Sequence, residues 1–474
     1  MADDEKILIA QFLRANDYAE TLKSFLSEAG LPPDAGTTSK DGLTLEKLLQ
    51  EKRAFDISAD FEKLATNDTK GWRQPAPAVP TAVSLPTSSN ILNAAVIARI
   101  HADGSRNDVL WSSAADRSVN ISDPATLETL DTSRNNEAPV LSVAQSSRYL
   151  LHGDMAGNIV LSETQSRAVL DKRKDHRKYV VRVATYETSD GAWVATAGWD
   201  ATVFVYWLRQ DHASPSLGSP VGRISLLSNP EAVLFVLSAE NTRPVLLVSR
   251  RDSTFIHYYR LPDIGNSPGA VCDLELLGRQ NLAPHALSWV SFTPADMALC
   301  PADPSLIAVA TSSMPHMKVL IVRLLFPTKD AATAVQSWAS GESSLAVSSV
   351  GENTESSTMD VTSRARAELA RQNREEAAIL ISCNAMAPQT QYSTPVVVWR
   401  PDGSGVWVSG DDGVIRGIDS ASGKIVTKLE SHESGSKIRC LWAGMVSGQQ
   451  AGGGNEWLVS GGFDQRLIVW KQVE

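Results

Sequence analysis

The sequence predicts a mainly β protein with a small all-α segment at its N-terminus. Apolar residues recur at helical spacing through residues 1–66, and a proline-rich stretch follows over residues 67–90. From residue 91 onward, short runs of Val, Leu and Ile alternate with turns of Gly, Asp, Asn and Ser. One phrase returns several times in this last region, which indicates a fold built from repeated units.

Composition narrows the class of protein before any motif is considered. The 474 residues include 44 Lys and Arg against 54 Asp and Glu, and 43% are hydrophobic, which is typical of a globular chain. The net charge of −10 argues against a dedicated nucleic-acid binder, because phosphate neutralisation needs a surplus of basic residues. The acidic N-terminal residues predict no secretory signal, and no apolar stretch reaches membrane-spanning length. We therefore expect a soluble, cytoplasmic protein and leave nuclear entry open.

Cysteine and histidine spacing predicts no metal site and no cofactor. The eight histidines form no His-Glu-x-x-His pattern, and the cysteines form no Cys-x-x-Cys pair. So few cysteines in so long a chain fit a reducing compartment. The four cysteines are Cys272, Cys300, Cys383 and Cys440.

Two short helices are predicted at the N-terminus. An apolar pattern covers residues 7–13 and resumes over residues 18–26, and Gly30 ends the second helix. Helices this short cannot bury their apolar faces alone, so they must dock on the rest of the protein or pair with a second copy. A further helical segment is predicted over residues 34–66.

Residues 5–31 resemble the LisH (lissencephaly-homology) motif, and we assign residues 1–33 to it. Its hallmarks appear in order as an Ile/Leu cluster at 7–9, then Phe12, Leu13, Tyr18, Thr21, Phe25 and Glu28. The resemblance implies a symmetric dimer. The positions that it places at the dimer seam are Ile7, Leu8, Phe12, Leu13, Tyr18, Leu22 and Phe25.

The repeated phrase is clearest near the C-terminus. Residues 457–464 read WLVSGGFD and precede LIVW, and residues 193–200 read WVATAGWD and precede VFVYW. Weaker copies lie elsewhere in the region. They surround residues 109–121, 149–161, 245–259, 306–325 and 406–415.

This phrasing resembles the WD-repeat family, in which each repeat forms one four-stranded blade of a β-propeller. The resemblance implies about seven blades over residues 91–474, with an aspartate in the turn between the second and third strands. It also implies a buried polar network in the two best units, although Tyr206 stands where the earlier unit should have its tryptophan. The network residues are His432, Ser460, Asp464 and Trp470, and in the earlier unit His176, Thr196 and Asp200.

Two details of the ring follow from the same repeats. The last unit has only three strands before the sequence ends, so we expect residues of about 81–87 to supply the fourth and close the ring. An insert over residues 327–378 interrupts the fifth unit. We expect it to be disordered up to about Thr358 and helical over residues 363–378, on the face with the third-to-fourth strand connections.

No pattern in the sequence predicts catalysis. Residues 265–269 match the Gly-x-Ser-x-Gly elbow of hydrolases, but that elbow needs a strand before it and a helix after it. Pro262 and Pro268 favour a loop instead. Residues 452–454 are three glycines without the Lys-Ser/Thr of a phosphate-binding loop. We expect a protein that is not an enzyme; the alternative is a hydrolase that uses Ser267, or a propeller with an acidic active site.

One basic run and one arginine pair are the candidate contacts for a partner. The repeats place residues 172–178 ahead of the third blade and the pair in a turn on the same face. These residues could bind an acidic peptide or a phosphate group, or they could form a solvated loop. Ser249 and Asp252 flank the pair where phosphoinositide-binding propellers have Phe and Gly. The candidates are Lys172, Arg173, Lys174, Arg177, Arg250 and Arg251.

Together, the two resemblances imply a homodimeric, non-catalytic scaffold or adaptor that recognises a protein partner of unknown identity. A substrate-recruiting subunit of a multi-subunit ubiquitin ligase is the alternative, although Trp470-Lys471-Gln472 lacks the Trp-Asp-x-Arg often found in such receptors. A phosphoinositide-binding propeller is the second alternative. We expect neither nucleic acid nor a membrane lipid as the ligand.

Overall fold

The computed structural model describes residues 2–37, 72, 74–100, 105–209, 215–237, 243–264, 271–284, 292–327, 354–447 and 454–472. The chain divides into two compact units, Met1–Thr69 and Lys70–Glu474. Three predicted features lie outside the described residues. They are the helical segment from residue 38 onward, the loop with Ser267, and residues 328–353 of the insert.

The N-terminal unit contains a hairpin of two helices, α1 (Ala2–Ala15) and α2 (Ala19–Ala29). Gly30 ends α2 in the left-handed conformation, with a φ of 68°, and its N–H bonds to the Leu26 carbonyl. Glycine suits this position because it has no Cβ to clash in that conformation. The predicted break between the helices and the predicted end of the second helix are therefore both present.

A small apolar core holds the hairpin together. Arg14 donates hydrogen bonds to the carbonyls of Pro33 and Ala35, at 2.9 and 3.1 Å, and so ties the chain after α2 back to α1. A core with so few fully buried side chains leaves much of the apolar surface of α1 exposed. The buried residues are Ala10, Leu22 and Leu26, with Leu13, Phe25, Leu31 and Ala35 packed against them.

The second unit contains seven β-sheets, which form the blades of a propeller. The first strand in the chain is β1 (Val79–Ala82). Blade 1 has β2 (Ile91–Ile100), β3 (Arg106–Ala114), β4 (Val119–Ser122) and β5 (Thr129–Ser133). Blade 2 has β6 (Val140–Ser146), β7 (Tyr149–Asp154), β8 (Ile159–Glu163) and β9 (Val169–Arg173). Blade 3 has β10 (Val180–Thr188), β11 (Gly191–Gly198), β12 (Thr202–Arg209) and β13 (Gly222–Ser225).

The remaining blades follow in chain order. Blade 4 has β14 (Pro230–Leu237), β15 (Pro244–Arg250), β16 (Phe255–Arg260) and β18 (Leu276–Asn281), while the short β17 (Cys272–Asp273) pairs in parallel with β13 of blade 3. Blade 5 has β19 (Thr293–Leu299), β20 (Leu306–Ser312), β21 (His316–Arg323) and β22 (Ile379–Pro388). Blade 6 has β23 (Val397–Trp399), β24 (Gly405–Val408), β25 (Val414–Asp419) and β26 (Ile425–Glu430). Blade 7 has β27 (Ile438–Ser447), β28 (Gly454–Gly462), β29 (Leu467–Lys471) and β1.

The blades close into a ring around a central channel. The first strand of each blade is the innermost one; it contacts the first strands of both neighbours, and β2 contacts β27. Apolar side chains fill the space between blades: Leu151 and Leu161 of blade 2 pack with Val194 and Leu208 of blade 3. The fold is a seven-bladed β-propeller, as the sequence predicts.

Strand β1 completes blade 7 as its outermost strand. It pairs antiparallel with β29, from Val79 opposite Lys471 to Ala82 opposite Ile468. The sequence predicts a closing strand near residues 81–87, whereas the paired strand begins earlier, at Val79, and is shorter. The ring is thus closed by residues far apart in the chain.

The chain ahead of β1 is fixed to the propeller by Trp72. Its ring packs edge-on against Trp407, with a centroid distance of 4.9 Å, and the Arg400 guanidinium lies 4.4 Å from the Trp72 ring centroid. Arg400 is fully buried and pairs with Glu456 over 2.6 Å. This part of the predicted linker, residues 67–90, is therefore held against blades 6 and 7.

The insert follows β21 in blade 5 and ends in a helix, α3 (Thr354–Ala377), directly before β22. The helix begins earlier than the expected residue 363. Near its end, Glu375 accepts a hydrogen bond of 3.1 Å from the Asn281 N–H, which holds α3 against blade 4. None of the described helices combines the length and apolarity needed to cross a membrane.

Candidate functional site

One face of the propeller, called the top face here, contains two connections from each blade. These are the turn between the second and third strands and the connection that leads into the first strand from the previous blade. The predicted basic run lies in such a connection, between β9 and β10, and Arg250-Arg251 lies at the turn between β15 and β16. The predicted candidates for partner binding therefore belong to the top face.

The buried network predicted in blade 7 is complete. His432 Nδ1 lies 2.9 Å from Asp464 Oδ2, and His432 Nε2 lies 2.8 Å from Ser460 Oγ. Trp470 Nε1 donates to the same Ser460 oxygen at 2.9 Å. Burial lowers the pKa of His432, and the Asp464 carboxylate offsets only part of that effect. These four side chains satisfy one another in the interior, so their role is structural.

The network of blade 3 starts in the same way and ends differently. His176 Nδ1 lies 3.1 Å from Asp200 Oδ1, and Nε2 lies 2.9 Å from Thr196 Oγ1. Tyr206 stands where blade 7 has its tryptophan; its hydroxyl donates to Asp175 Oδ2 at 2.9 Å and also lies within reach of Thr196. Burial acts to raise the pKa of Asp200, but the hydrogen bonds from His176 and its neighbours outweigh burial and hold that pKa well below its usual value.

The basic run divides into paired and exposed members. Arg173 makes two hydrogen bonds to Asp175, of 2.7 and 2.9 Å, and so joins the blade 3 network through Tyr206. Lys172, although exposed, pairs at 2.5 Å with Glu137 in the connection between β5 and β6. Lys174 and Arg177 are exposed on the top face. Sequence spacing could not distinguish these two groups.

Arg250 and Arg251 do not project together as a pair. Arg250 Nη1 donates to Ser228 Oγ at 3.1 Å, whereas Arg251 Nε donates to Glu231 Oε1 at 2.7 Å. The Arg251 guanidinium also lies 5.3 Å from the ring centroid of Trp199. Arg251 thus covers the ring of Trp199, a residue that stands out in the sequence only as part of the repeat.

Large exposed apolar side chains follow an arc of the top face from blade 3 to blade 7. Each of them lies in a connection or turn of that face, where it contributes little to the core. Single exposed apolar groups are common on soluble proteins, but several of them on one face give a partner apolar area to bury. The exposed fractions are 39% for Tyr179, 91% for Leu227, 70% for Met314, 77% for Tyr392 and 41% for Phe463.

Inside this arc, charged side chains from several inner strands meet at the channel mouth. Arg182 of β10 donates to Asp296 of β19 over 2.8 Å, although blade 4 lies between their two blades. The second oxygen of Asp296 accepts from the Val397 N–H at 3.0 Å. Glu231 and Arg439 occupy the same level, at bulges of β14 and β27 where the strand register shifts. Bulges of this kind redirect side chains, here into the channel.

Burial shifts the pKa values of the charged side chains at the channel mouth. It raises the pKa of Glu231 and of Asp296, and the nearby arginines offset only part of the effect. Burial, with Arg182 close by, lowers the pKa of Arg439 to about 10. Arg439 therefore remains charged at neutral pH.

The histidines, cysteines and carboxylates of the described residues do not gather into a metal-binding set. No group of three or more His, Cys, Asp or Glu side chains there could hold a metal ion. Cys300 and Cys440 are buried and Cys272 is exposed, all as free thiols. Burial raises the pKa of Cys440 to about 12, which disfavours the reactive thiolate.

The predicted dimerisation residues separate into two sets in the helical hairpin. Leu13, Leu22 and Phe25 belong to the hairpin's own core. Ile7 and Tyr18 are exposed, by 39% and 53%, and the ring of Phe12 lies 6.4 Å from that of Tyr18. The side chain of Leu8 lies outside the described part, and Ile9, which the sequence analysis did not select, is 39% exposed.

Two family profiles match the chain. One, described as UCP007778, beta-propeller domain, matches residues 78–471, and the other, described as UCP007778, LisH domain, matches residues 6–33. No curated protein matches the sequence. Among solved structures, the computationally designed Ika8 protein aligns at 13% identity over 81% of this chain and 97% of its own, with a TM-score of 0.44.

Proposed function

The chain belongs to the UCP007778 family, which combines a LisH domain with a β-propeller, and from that premise we propose a dimeric, non-catalytic adaptor that binds a protein partner on its top face. A LisH domain together with a propeller fits a protein-interaction scaffold. The partner-binding surface and the dimer are the specific parts of the proposal.

The exposed apolar arc is the observation that supports partner binding. Aromatic residues and arginines are the side chains most enriched at the centres of protein interfaces, and the arc places Tyr179, Leu227 and Phe463 around a mouth lined by arginines. Trp199 adds an indole N–H that is buried without a hydrogen-bond partner among the described residues. A peptide chain that covers this face would bury apolar area and supply acceptors to such donors.

The exposed side chains of the hairpin support the dimer. Ile7, Ile9 and Tyr18 leave apolar area uncovered on a unit with few buried residues. A second hairpin would cover that area, and two linked propellers would bind a target with paired sites more tightly through effective concentration.

Partner binding is tested by comparative capture on the immobilised full-length protein, with quantitative mass spectrometry of the bound proteins. We expect Leu227→Asp to lose a specific partner, because a charge is placed where the partner buries apolar area. Leu130→Asp is the matched control, since Leu130 is 56% exposed on β5, away from the top-face connections. The proposal fails if the same proteins bind both variants, or if both variants lose them equally.

The dimer is tested by light-scattering mass on the full-length protein. The native chain should have the mass of two copies, and Ile9→Glu should have the mass of one, because a charge at the seam cannot be buried unpaired. Lys23→Glu, on an exposed position of α2, should stay dimeric. A native chain with the mass of one copy would contradict the dimer and leave the top-face proposal standing.

A further inference from the structure

Arg439 stands apart from the other arginines of the channel mouth in the contacts that its guanidinium makes. Within the described residues it donates no hydrogen bond and forms no ion pair. It is half-buried at the bulge of β27, and Arg182 is close enough to act on it with a like charge. A charged group in that position is costly unless an opposite charge meets it.

The carboxylates nearest to Arg439 are already engaged elsewhere. Asp296 uses one oxygen for Arg182 and the other for the Val397 N–H. Glu231 accepts from Arg251 at 2.7 Å. Within the described residues, two of the three guanidiniums at the mouth thus have an ion-pair partner, whereas Arg439 has only the longer-range attraction of the same two carboxylates.

The charge count indicates what kind of anion would fit. Arg182, Arg251 and Arg439 face Glu231 and Asp296, which leaves one excess positive charge. A carboxylate carries one negative charge, whereas a phosphorylated side chain carries nearly two at neutral pH. One carboxylate would therefore balance the mouth, and a phosphate would exceed the balance.

We infer that Arg439 binds the carboxylate of an acidic side chain that the protein partner inserts into the channel mouth, while apolar neighbours of that side chain cover the surrounding arc. This inference rests on the proposed top-face function and names the chemistry of its ligand. Arg439 donates the hydrogen bonds of an ion pair in a recess with restricted access to water, where such a pair is stronger than on an open surface. The Arg182–Asp296 pair stays intact and fixes the wall beside it.

The probes are three pools of acetylated, amidated heptapeptides with a central glutamate, glutamine or phosphoserine and mixed flanking residues. Retention on the immobilised full-length protein is measured by mass spectrometry. The native protein should retain the glutamate pool over the glutamine pool, and Arg439→Gln should lower that retention about tenfold or more. Arg117→Gln is the control, because Arg117 is exposed in the top-face turn between β3 and β4, is not among the candidate contacts, and its loss should change little.

Several outcomes would overturn the inference. Equal retention of the glutamate and glutamine pools, including no retention of either, would contradict a carboxylate subsite. Tighter binding of the phosphoserine pool through Arg439 would show that the subsite binds a phosphate in preference to a carboxylate. An equal loss with Arg117→Gln would show that the effect comes from general surface charge.

Thermal stability gives a second measurement that does not depend on a ligand. Removal of an unpartnered charge should leave the melting temperature of Arg439→Gln unchanged or raise it. A clear fall would make Arg439 a structural residue and end the proposal. Failure of this inference is distinguishable from failure of the proposed function, since partner capture that depends on Leu227 but is unaffected by Arg439→Gln supports the function alone.

Discussion

Blade 7 and blade 3 begin with the same buried set and complete it in different ways. In blade 7, Trp470 donates to Ser460 and closes the network inside the blade. In blade 3, the Tyr206 hydroxyl reaches Asp175 instead, and Asp175 in turn holds Arg173. Tyr206, at the position where the repeat usually has tryptophan, thus extends a buried network out to the top face.

The comparison of the two blades shows how a structural network can remove residues from a binding surface. Arg173 belongs to a basic run and would be a natural contact for an acidic ligand. Its two hydrogen bonds to Asp175 commit it to the blade, whereas Lys174 next to it stays exposed. Arginines that take no part in such a hydrogen-bond network remain available to a partner, and Arg439 is the clearest example.

The largest expected effect comes from removing the aspartate of each network. We expect Asp464→Ala to lower the free energy of unfolding by about 3–5 kcal/mol, because His432 and the Glu433 N–H lose their buried acceptor. Asp200→Ala should cost about 1 kcal/mol less, since the Asp200 side chain retains some exposure, 8% against 0% for Asp464. Urea unfolding of both variants measures the difference. Equal losses would show that the two networks contribute alike.

A smaller loss of stability is expected from the residues that complete each network, Trp470 and Tyr206. Trp470→Phe should destabilise by about 2 kcal/mol, because buried volume and the donor to Ser460 are both lost. Tyr206→Phe should cost about 1 kcal/mol, since Asp175 keeps its two bonds from Arg173. The same urea experiment checks both values. A Tyr206→Phe loss as large as that of Trp470→Phe would place the tyrosine hydroxyl at the centre of its network.

The smallest effect is a pH dependence from His432. Its pKa is lowered in the folded protein by burial, so between its ordinary value of 6.5 and the lower folded value only the unfolded chain takes up the proton. This contribution is complete above the unfolded pKa and is lost as the pH falls, by at most about 1.4 kcal/mol per pH unit. Melting curves from pH 8 to 5 should be flatter for His432→Gln than for the native chain. Identical slopes would exclude His432 as the source.

The sequence predicts most of the blades because their second and third strands repeat a recognisable phrase. The networks around His432 and His176 follow from that phrase, and so does the exception at Tyr206. Where Tyr206 sends its hydroxyl could not be predicted, because Asp175 reaches it only through the folded connection between two blades.

The channel mouth was beyond sequence reasoning for a different reason. Arg182, Glu231, Asp296 and Arg439 belong to four blades, and no spacing in the chain relates them. They meet only because the ring places every inner strand beside the same channel. Leu227 was missed as well, since one leucine in a polar connection forms no pattern.

The closing strand β1 has a consequence for the synthesis of the protein. Its partner β29 is made after every other described strand of the propeller, and at roughly 5–20 residues per second the interval between the two is about 20–80 s. During that time β1 is a strand without a partner, which is the kind of segment that can pair with other chains. Its shortness and Pro80, which lacks an N–H, make it a poor template for such pairing. The residues that seal the finished ring are therefore also suited to a nascent chain that must wait for its own C-terminal strand.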